Sequence, residues 1–354
     1  MTTAVSKLWF RAPVIAFGAL LVAIAPRADA TEFTAASTTS AASVAPSGTP
    51  ADSTSFGAAL SGDGRFSAFS SYADNLVADD TNGFSDVFLH DNATNVITRL
   101  SVATDGTEGD FGSVQPSASG DGRYVAFSSI ATNLVAGDTN AVADVFIRDT
   151  VANTTTRVSN GVADSDAPAI SADGRYVAFQ SNGSVLDYDT QTNTTTLVAK
   201  GAAPAISPDG HYVAYVSAGS VFVRDTQKQT TTRISRAGAE SGNPSVSSNG
   251  RYVAFETKSG SATDVFVRDT LARVTTRLTR STAYSGDAAI SADGRYVAYY
   301  SYASGKPTVL VRDLHARTPQ TVARQAFNPA ITADGGRIAY ETSHDVYVVT
   351  RQAA

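Results

Sequence analysis

The chain of 354 residues contains no cysteine, only one methionine and one tryptophan, and no long apolar run beyond its N-terminal segment. Without cysteine the protein can form neither a disulfide nor a lipid-anchored N-terminal cysteine. Without a second apolar run the mature protein is expected to be soluble and not inserted in a membrane. Its stability must therefore come from a large hydrophobic core.

The N-terminal segment has the features of a leader for export. Lys7 and Arg11 provide positive charge, residues 12–25 are apolar, and Ala28 and Ala30 are small residues at the positions that a signal peptidase reads. The apolar stretch is too short to span a bilayer comfortably as a helix. We therefore predict a signal peptide over residues 1–30, cleaved after Ala30, and a secreted or periplasmic mature protein.

Positive charge is also scarce. The whole chain has 27 Lys and Arg residues against 33 Asp and Glu residues, which gives a formal net charge of −6. The leader carries more cations than anions, so the mature protein is more acidic still. This balance argues against nucleic acid and anionic lipid surfaces as partners.

A repeat dominates the remaining sequence. Each unit reads small-Ser-x-Asp-Gly, then Arg-Tyr-Val-Ala-Phe, a variable segment, Asp-Val-Phe-Val-Arg-Asp and a threonine-rich run. Seven Asp-Gly or Asn-Gly pairs mark the units, and their average spacing of about 40–50 residues is typical of a β-propeller. The pairs begin at Asp63, Asp121, Asp173, Asp209, Asn249, Asp293 and Asp334.

Each unit predicts four strands, A to D. The Asp-Gly pair favours a tight hairpin between strands A and B, because glycine tolerates positive φ. Strand A, as in residues 168–171, is built from small residues and suits the crowded axis, whereas the threonine-rich strand D, as in residues 230–234, suits the outer edge. The expected fold is all-β: one seven-bladed propeller of four-stranded blades over residues 31–354.

The two ends of the sequence predict how the ring closes. The last unit has strands A, B and C, but the chain stops before a strand D. Ser43 lies as far before Asp63 as Ser101 lies before Asp121, and the segments that follow match without a gap. Residues 37–43 are therefore predicted to supply the fourth strand of the last blade, a 1+3 closure that removes open sheet edges.

The Ser-x-Asp-Gly-Arg-Tyr-Val-Ala-Phe and Asp-Val-Phe-Val-Arg-Asp runs resemble the TolB-type, WD40-like propeller repeat of bacterial exported proteins. The resemblance covers essentially the whole mature chain, and it concerns only the propeller part of that family. It implies the propeller fold and leaves the function open. Some propellers of this type, such as oligogalacturonate lyases, are enzymes that place histidine on a metal.

Loop length indicates where a binding surface lies. In a propeller the B–C and D–A loops emerge on one face, and blades 1 and 2 have the longest B–C loops, residues 70–85 and 128–143. The D–A segments 45–55 and 103–113 flank the same blades. Because function tends to lie on such loops, we predict a ligand-binding face over blades 1 and 2. Its candidate residues are Asn75, Asp79, Asp80, Asn82, Asn133, Asp138 and Asn140.

The two long loops also contain a partial calcium motif. The spacing Asp-x-Asn-x-x-x-Asp places oxygen donors at alternating positions, as hard cations prefer, but the first acidic position is Ala78 or Ala136. The alternative is that these side chains cap turns, and that the final Asp, which recurs as Asp264 and Asp345, serves strand C. The candidate Ca²⁺ ligands are Asp80, Asn82, Asp86, Asp138, Asn140 and Asp144.

No catalytic residue is predicted. A Gly-x-Ser-x-Gly elbow is absent from the sequence, and the Arg-Asp pairs that end strand C are interpreted as structural parts of the C–D turn. His90, His211 and His315 fall on the A–B/C–D face in blades far apart, and His344 falls on the opposite face. They are predicted to be isolated surface residues that cannot share one ion.

Three hypotheses of function remain from the sequence. The preferred hypothesis is an exported, monomeric, non-enzymatic binding or scaffold propeller that presents one loop face to a protein or an envelope polymer. The alternative is a carbohydrate-active lyase or hydrolase that uses acidic residues or a metal near the mouth of the central channel. A calcium-stabilised structural module is a third, minor hypothesis.

Overall fold

The computed structural model describes residues 37–159, 161–280, 282–316 and 318–351. These residues form 28 strands in seven antiparallel sheets of four strands each. None of the residues so described belongs to a helix that could cross a bilayer. The predicted signal peptide, residues 1–30, lies outside the described residues.

The strands are numbered in chain order, and each blade consists of strands A to D in sequence. Blade 1 is β2 (Ser55–Leu60), β3 (Phe66–Ser71), β4 (Asp86–Asp91) and β5 (Val96–Arg99); blade 2 is β6 (Ser113–Ala118), β7 (Tyr124–Ser129), β8 (Asp144–Asp149) and β9 (Thr154–Arg157). Blade 3 is β10 (Ser165–Ile170), β11 (Tyr176–Ser181), β12 (Ser184–Asp189) and β13 (Thr194–Lys200); blade 4 is β14 (Ala202–Ile206), β15 (Tyr212–Ser217), β16 (Ser220–Asp225) and β17 (Thr230–Arg233). Blade 5 is β18 (Ser241–Val246), β19 (Tyr252–Ser259), β20 (Ala262–Asp269) and β21 (Val274–Arg277); blade 6 is β22 (Ser285–Ile290), β23 (Tyr296–Ser301), β24 (Thr308–Asp313) and β25 (Gln320–Arg324). Blade 7 is β26 (Phe327–Ile331), β27 (Arg337–Glu341), β28 (Val346–Thr350) and β1 (Thr38–Ala41).

The ring is closed as the sequence predicts. β1 pairs antiparallel with β28, from Thr38 opposite Thr350 to Ala41 opposite Tyr347. Strand A of each blade contacts strand A of the next, and β2 contacts β26 to complete the circle. The seven-bladed propeller and its 1+3 closure are therefore confirmed, and strand A is innermost because its small side chains fit where the blades converge.

The Asp-Gly turn is fixed by a short hydrogen-bond network that the sequence encodes. In blade 1, Ser61 Oγ donates to Asp63 Oδ1 (2.6 Å), and Asp63 Oδ1 accepts from the amide of Arg65 (2.9 Å). The glycine of each turn has positive φ, and in six of the seven turns it lies against the aromatic residue that begins strand B of the neighbouring blade; Gly64 lies against Arg337 instead. A Cβ at Gly122 (φ +71°) would overlap the Phe66 ring, so glycine is required both for the turn and for the blade contact.

The hydrophobic core is divided among the seven blade interfaces. Each interface holds one cluster formed by strands B and C of one blade and strand B of the next. In blade 1 the buried rings of Phe69 and Phe88 stack with centroids 5.8 Å apart, and Phe127 and Phe146 repeat this contact in blade 2. Both faces of each sheet are therefore apolar, as expected for blades packed between neighbours.

The Arg-Asp pairs that end strand C have the structural role that the sequence analysis assigned to them. The Asp149 carboxylate accepts the amide of Val151 (2.9 Å) and opens the C–D turn of blade 2. In blade 1, where His90 takes the place of the arginine, Asp91 likewise accepts the amide of Ala93 (2.9 Å). It also forms an ion pair with Arg65 (2.9 Å), and that hydrogen bond lowers the pKa of Asp91 to about 2. The same cross-strand ion pair recurs in Arg123–Asp149, Arg175–Asp189, Arg251–Asp269 and Arg295–Asp313.

Candidate functional site

The face that carries the B–C and D–A loops is asymmetric. Blades 1 and 2 have 14-residue B–C connections, residues 72–85 and 130–143, whereas blades 3 and 4 have two-residue turns at 182–183 and 218–219. Both residues of those short turns have positive φ, which is the geometry of a tight hairpin. The long loops and the D–A segments bonded to them form one surface, which we call the ledge: residues 50–54, 72–85, 108–112, 130–143 and 161–164.

Two asparagines attach the long loops to the D–A segments. Asn75 Oδ1 accepts the amide of Asp52 (3.2 Å), and Asn75 Nδ2 donates to the Pro50 carbonyl (2.9 Å). In the second copy Asn133 Oδ1 accepts the amide of Asp110 (3.0 Å), and its Nδ2 donates to the Glu108 carbonyl (2.7 Å). Both amide groups are therefore used within the protein, and the two residues hold the ledge together.

The first loop converges on an arginine from strand D. Arg99 Nη1 lies 3.4 Å from Asp80 Oδ1 and forms a shorter ion pair with Glu108. Arg99 Nη2 donates to the carbonyl of Asp79 (2.7 Å), whose own side chain is exposed. Burial and the charge of Asp86 raise the pKa of Asp80 to about 7, against the opposing effect of Arg99.

The asparagines of the partial calcium motif turn their amide nitrogens toward the carboxylates. Asn82 Nδ2 donates to Asp86 Oδ2 (3.1 Å), while Asn82 Oδ1 accepts the amide of Phe84 (2.6 Å). Asn140 Nδ2 likewise donates to Asp144 Oδ2 (2.7 Å). Each asparagine thus bridges its loop to strand C instead of presenting an oxygen beside the carboxylate.

The second loop repeats the arginine as well. Arg157 Nη1 lies 2.7 Å from Asp138 Oδ1 and 3.4 Å from Asp144 Oδ2. In both copies a guanidinium supplies the positive charge that the sequence analysis assigned to calcium. Calcium binding by these loops stays a prediction, and it requires Arg99 or Arg157 to leave the carboxylates.

The last Asp of each motif also serves strand C. Ser101 donates to Asp86, and Ser101 Oγ accepts the amide of Val87 (3.0 Å). Burial raises the pKa of Asp86 to about 6, although the hydrogen bond from Ser101 and the charge of Arg99 lower it. The same Ser/Thr–Asp contact closes the outer edge of other blades, in Ser159–Asp144, Thr279–Asp264 and Ser43–Asp345.

The ledge exposes large apolar side chains. Phe84 and Phe111 lie with ring centroids 5.2 Å apart and are 36% and 41% exposed, and Tyr72 is 48% exposed against Phe56. Ile130 and Val162 add two more exposed apolar side chains. Contiguous exposed aromatic residues of this kind mark interaction surfaces more often than isolated ones do.

A second polar group lies at the mouth of the central channel and was not found by sequence reasoning. Strand A of every blade contains a bulge with one residue at φ between 45° and 67°. These residues form a ring around the axis on the loop face: Gly57, Gln115, Ala167, Ala203, Asn243, Asp287 and Asn328.

Acidic residues from strand B of blades 5 and 7 support this ring. Glu256 Oε1 accepts the amide of Asp287 (2.5 Å), and its other oxygen accepts the hydroxyl of Tyr284 (2.9 Å). Glu341 Oε1 accepts the amide of Gly57 (2.7 Å) across the closure between blades 7 and 1. Burial, followed by the charges of Glu256 and Glu341, raises the pKa of Asp287 to about 7.

A sequence feature could have pointed to Glu256 and Glu341. Strand B reads Tyr-Val-Ala-Phe or a close variant, and its next residue differs among the blades: Ser70, Ser128, Gln180, Val216, Glu256, Tyr300 and Glu341. Two glutamates after an otherwise apolar strand are unusual. Only the bulge in strand A of the following blade, however, gives them a backbone amide to accept.

The histidines are separated, but one expectation about them is wrong. His90, expected at the surface, is fully buried, and its Nδ1 lies 3.0 Å from Asn92 Oδ1. It is buried because strand C of blade 1 is covered along its whole length, as the equivalent Arg148 is in blade 2. His315 and His344 are exposed, as expected, and His211 is half-buried.

The fold and its repeats define a seven-bladed β-propeller. Residues 184–353 match the family model of the TolB β-propeller domain. This match covers a little under half of the chain, and the structure shows the same four-stranded blade in the described residues before it. A search of curated protein sequences gave no match.

Two solved structures of low sequence identity share the fold, and a third has a lower TM-score. An oligogalacturonate lyase in complex with manganese is 14% identical over 89% of this chain and 96% of that chain, with a TM-score of 0.62. An oligogalacturonate lyase from Vibrio parahaemolyticus is 11% identical over the same shares, with a TM-score of 0.59. TolB from Acinetobacter baumannii is 16% identical over 76% of this chain and 77% of that chain, with a TM-score of 0.48.

The donor groups of this chain do not fit a histidine-bound metal. Among the described residues, the three metal-ligating side chains close enough to share an ion are Asp80, Asp86 and Glu108, and Arg99 lies among them. The histidines lie in different blades, and the buried one is bonded to Asn92.

Proposed function

We propose that the protein is an exported, non-enzymatic binding propeller that holds a protein or an envelope polymer on its ledge. The observation that carries this proposal is the exposure of Phe84 and Tyr72 on the long loop 72–85 and of Phe111 on the adjoining D–A segment. Hydrogen bonds fix the same loops to the D–A segments, so the surface is organised before a partner binds. The leader-like segment 1–30 supports a secreted or periplasmic location.

Site-specific cross-linking tests this proposal. A photoreactive phenylalanine analogue is placed at Phe84, and a control analogue at Leu271, which is more exposed (75% against 36%) and lies on the opposite face. With an envelope fraction of the producing cells, we expect one dominant adduct at position 84 and none at position 271. Equal labelling at both positions, or no adduct at either, would contradict a binding role for the ledge.

A second candidate function is a carbohydrate-active lyase or hydrolase at the channel mouth. The observation that favours it is the group of Glu256, Asp287 and Tyr284, in which a carboxyl with a pKa of about 7 lies beside a carboxylate and a phenol. A carboxyl of that pKa can accept and release protons at neutral pH. Release of unsaturated products from polygalacturonate, lost in Asp287→Asn and retained in Asp138→Asn, would support this function over the first.

A further inference from the structure

The ledge is strongly asymmetric in charge. Its five segments, residues 50–54, 72–85, 108–112, 130–143 and 161–164, contain eight acidic residues and no Lys or Arg. The acidic residues are Asp52, Asp74, Asp79, Asp80, Glu108, Asp110, Asp138 and Asp164. Such a one-signed surface attracts partners of the opposite charge and repels polyanions.

Only part of this charge is compensated inside the protein. Arg99 and Arg157, which rise from strand D, form ion pairs with Asp80, Glu108 and Asp138. The other five carboxylates, Asp52, Asp74, Asp79, Asp110 and Asp164, form no ion pair with any residue in the described ranges. The ledge therefore carries free negative charge that a partner can neutralise.

Three of the uncompensated carboxylates are held in place by the loops. Asp52 Oδ1 accepts the amide of Asp74 (3.1 Å), Asp110 accepts the amide and hydroxyl of Thr132, and Asp164 Oδ1 accepts the amide of Ala143 (3.0 Å). Their positions are thus set before binding, while a second lone pair on each carboxylate stays available. Pre-organised charges reduce the ordering that association requires.

The exposed rings lie among these charges. Phe84 follows Asp79 in the same loop, and Phe111 follows Asp110 directly. Arginine is the side chain whose chemistry suits both groups, because its planar guanidinium stacks on an aromatic face and pairs with a carboxylate. Elsewhere this protein shows the same combination, in which Arg123 stacks on Tyr124 (4.8 Å) and pairs with Asp149.

We propose that the partner of the ledge is a basic protein segment, which inserts arginine or lysine side chains between the Phe84–Phe111 pair and the uncompensated carboxylates. This inference rests on the proposed binding function and narrows it. It excludes an anionic polymer such as a polyuronide as the occupant of this surface, since the five uncompensated carboxylates would repel it.

Two labelled peptides of equal length test the proposal with the full mature chain. One peptide has arginine at every second position and the other has glutamate there, and fluorescence anisotropy measures binding. We expect the arginine peptide to bind at low salt and to lose about tenfold in affinity at ~0.3 M salt, because the charge contacts are exposed and screened. The glutamate peptide should not bind.

Substitutions on and away from the ledge test where the arginine peptide binds and whether net charge alone accounts for its binding. The double changes Asp74→Lys with Asp79→Lys, and Phe84→Ser with Phe111→Ser, should each weaken the arginine peptide about tenfold or more. Glu240→Lys, an exposed acid over blade 5, and Leu271→Ser, an exposed apolar residue on the other face, should leave its affinity unchanged. Melting temperatures of all variants verify that each one is folded.

The outcomes separate this inference from the proposed function. Binding of the glutamate peptide with the same sensitivity to Phe84→Ser and Phe111→Ser would overturn the basic partner and leave the ledge as a binding surface. Arginine-peptide binding that is equally weakened by Glu240→Lys would overturn the inference as an effect of net charge. Absence of binding by either peptide would overturn it as well, while the cross-linking experiment decides independently on the ledge.

Discussion

Asp187 occupies a position that is apolar in every other blade. It is the fourth residue of strand C in blade 3 (β12). The other blades have an apolar residue at the equivalent position: Leu89, Ile147, Val223, Val267, Val311 and Val348. The residue is 7% exposed, and its Oδ1 atom has no hydrogen-bond partner among the described residues. Burial, and then the charge of Asp189, raise the pKa of Asp187 to about 6.

The size of the effect follows from this pKa. In the unfolded chain the carboxyl has its ordinary pKa of 3.8, and each unit of difference corresponds to about 1.4 kcal/mol. At pH 7.5 the folded protein therefore holds an ionised, buried Asp187 at a cost of about 3 kcal/mol. Asp187→Val removes that cost and adds apolar contact at the interface between blades 3 and 4, so the free energy of unfolding should rise by about 2–4 kcal/mol.

The gain must depend on pH in a defined direction. Because the folded-state pKa is above the unfolded one, the cost is fully present above about pH 6 and disappears as the pH falls toward 3.8. The difference in unfolding free energy between Asp187→Asn and the wild type should therefore be large at pH 7.5 and small at pH 4.5. Urea denaturation at both pH values measures it.

Asp189→Asn is the matched control, two residues along the same strand. Arg175 donates a hydrogen bond to Asp189 and lowers its pKa, so this change should destabilise the protein at pH 7.5. A lower unfolding free energy for Asp187→Val than for the wild type at pH 7.5 would refute the reasoning. An increase in unfolding free energy for Asp187→Asn that is equal at both pH values would refute it as well.

Three further predictions concern the loops, the turns and the closure. Arg99→Met should lower the unfolding free energy by about 2–4 kcal/mol, because it leaves Asp80, Asp86 and Glu108 without a compensating charge. A chelator should not change the melting temperature of the wild type, whereas added calcium should raise the melting temperature of the variant. Gly122→Ala should lower the unfolding free energy by about 2 kcal/mol or more, because the new Cβ overlaps Phe66. Gly137→Ala, at a similar φ but with open space around it, should lower the unfolding free energy by only about 1 kcal/mol. Equal losses of unfolding free energy would show that the blade contact is unimportant. A chain that begins at residue 44 should melt at lower temperature and associate through the open edge of β28, unlike a chain that begins at residue 37, and size-exclusion chromatography would show the difference.

The architecture could be predicted from the repeat because each part of the blade has a local cause in the sequence. Asp-Gly sets the hairpin between strands A and B, as Asp63 and Gly64 show, and alternation of Tyr-Val-Ala-Phe sets a strand with two apolar faces. Even the closure could be predicted, because the match between Ser43 and Ser101 places residues 37–43 at the position of a strand D.

Only part of the candidate site could be predicted from the sequence. The long loops and their asparagines stand out in the sequence, but Arg99 and Arg157 belong to the regular threonine-rich strand and give no local sign that they pair with loop carboxylates. His90 was expected at the surface because it falls on the A–B/C–D face, yet the neighbouring structure covers it completely. Burial of that kind depends on packing between blades and not on local pattern.

The amino-acid sequence by itself determined the blade, the number of blades and the segment that closes the ring, because these depend on turn chemistry and on a pattern repeated along the chain. Tertiary structure alone decided which carboxylates meet a guanidinium, which remain uncompensated on the ledge, and that Glu256 and Glu341 support a ring of bulges at the channel mouth. These contacts join residues from different strands and blades. Their electrostatics depend on distances and burial that exist only after the ring has closed.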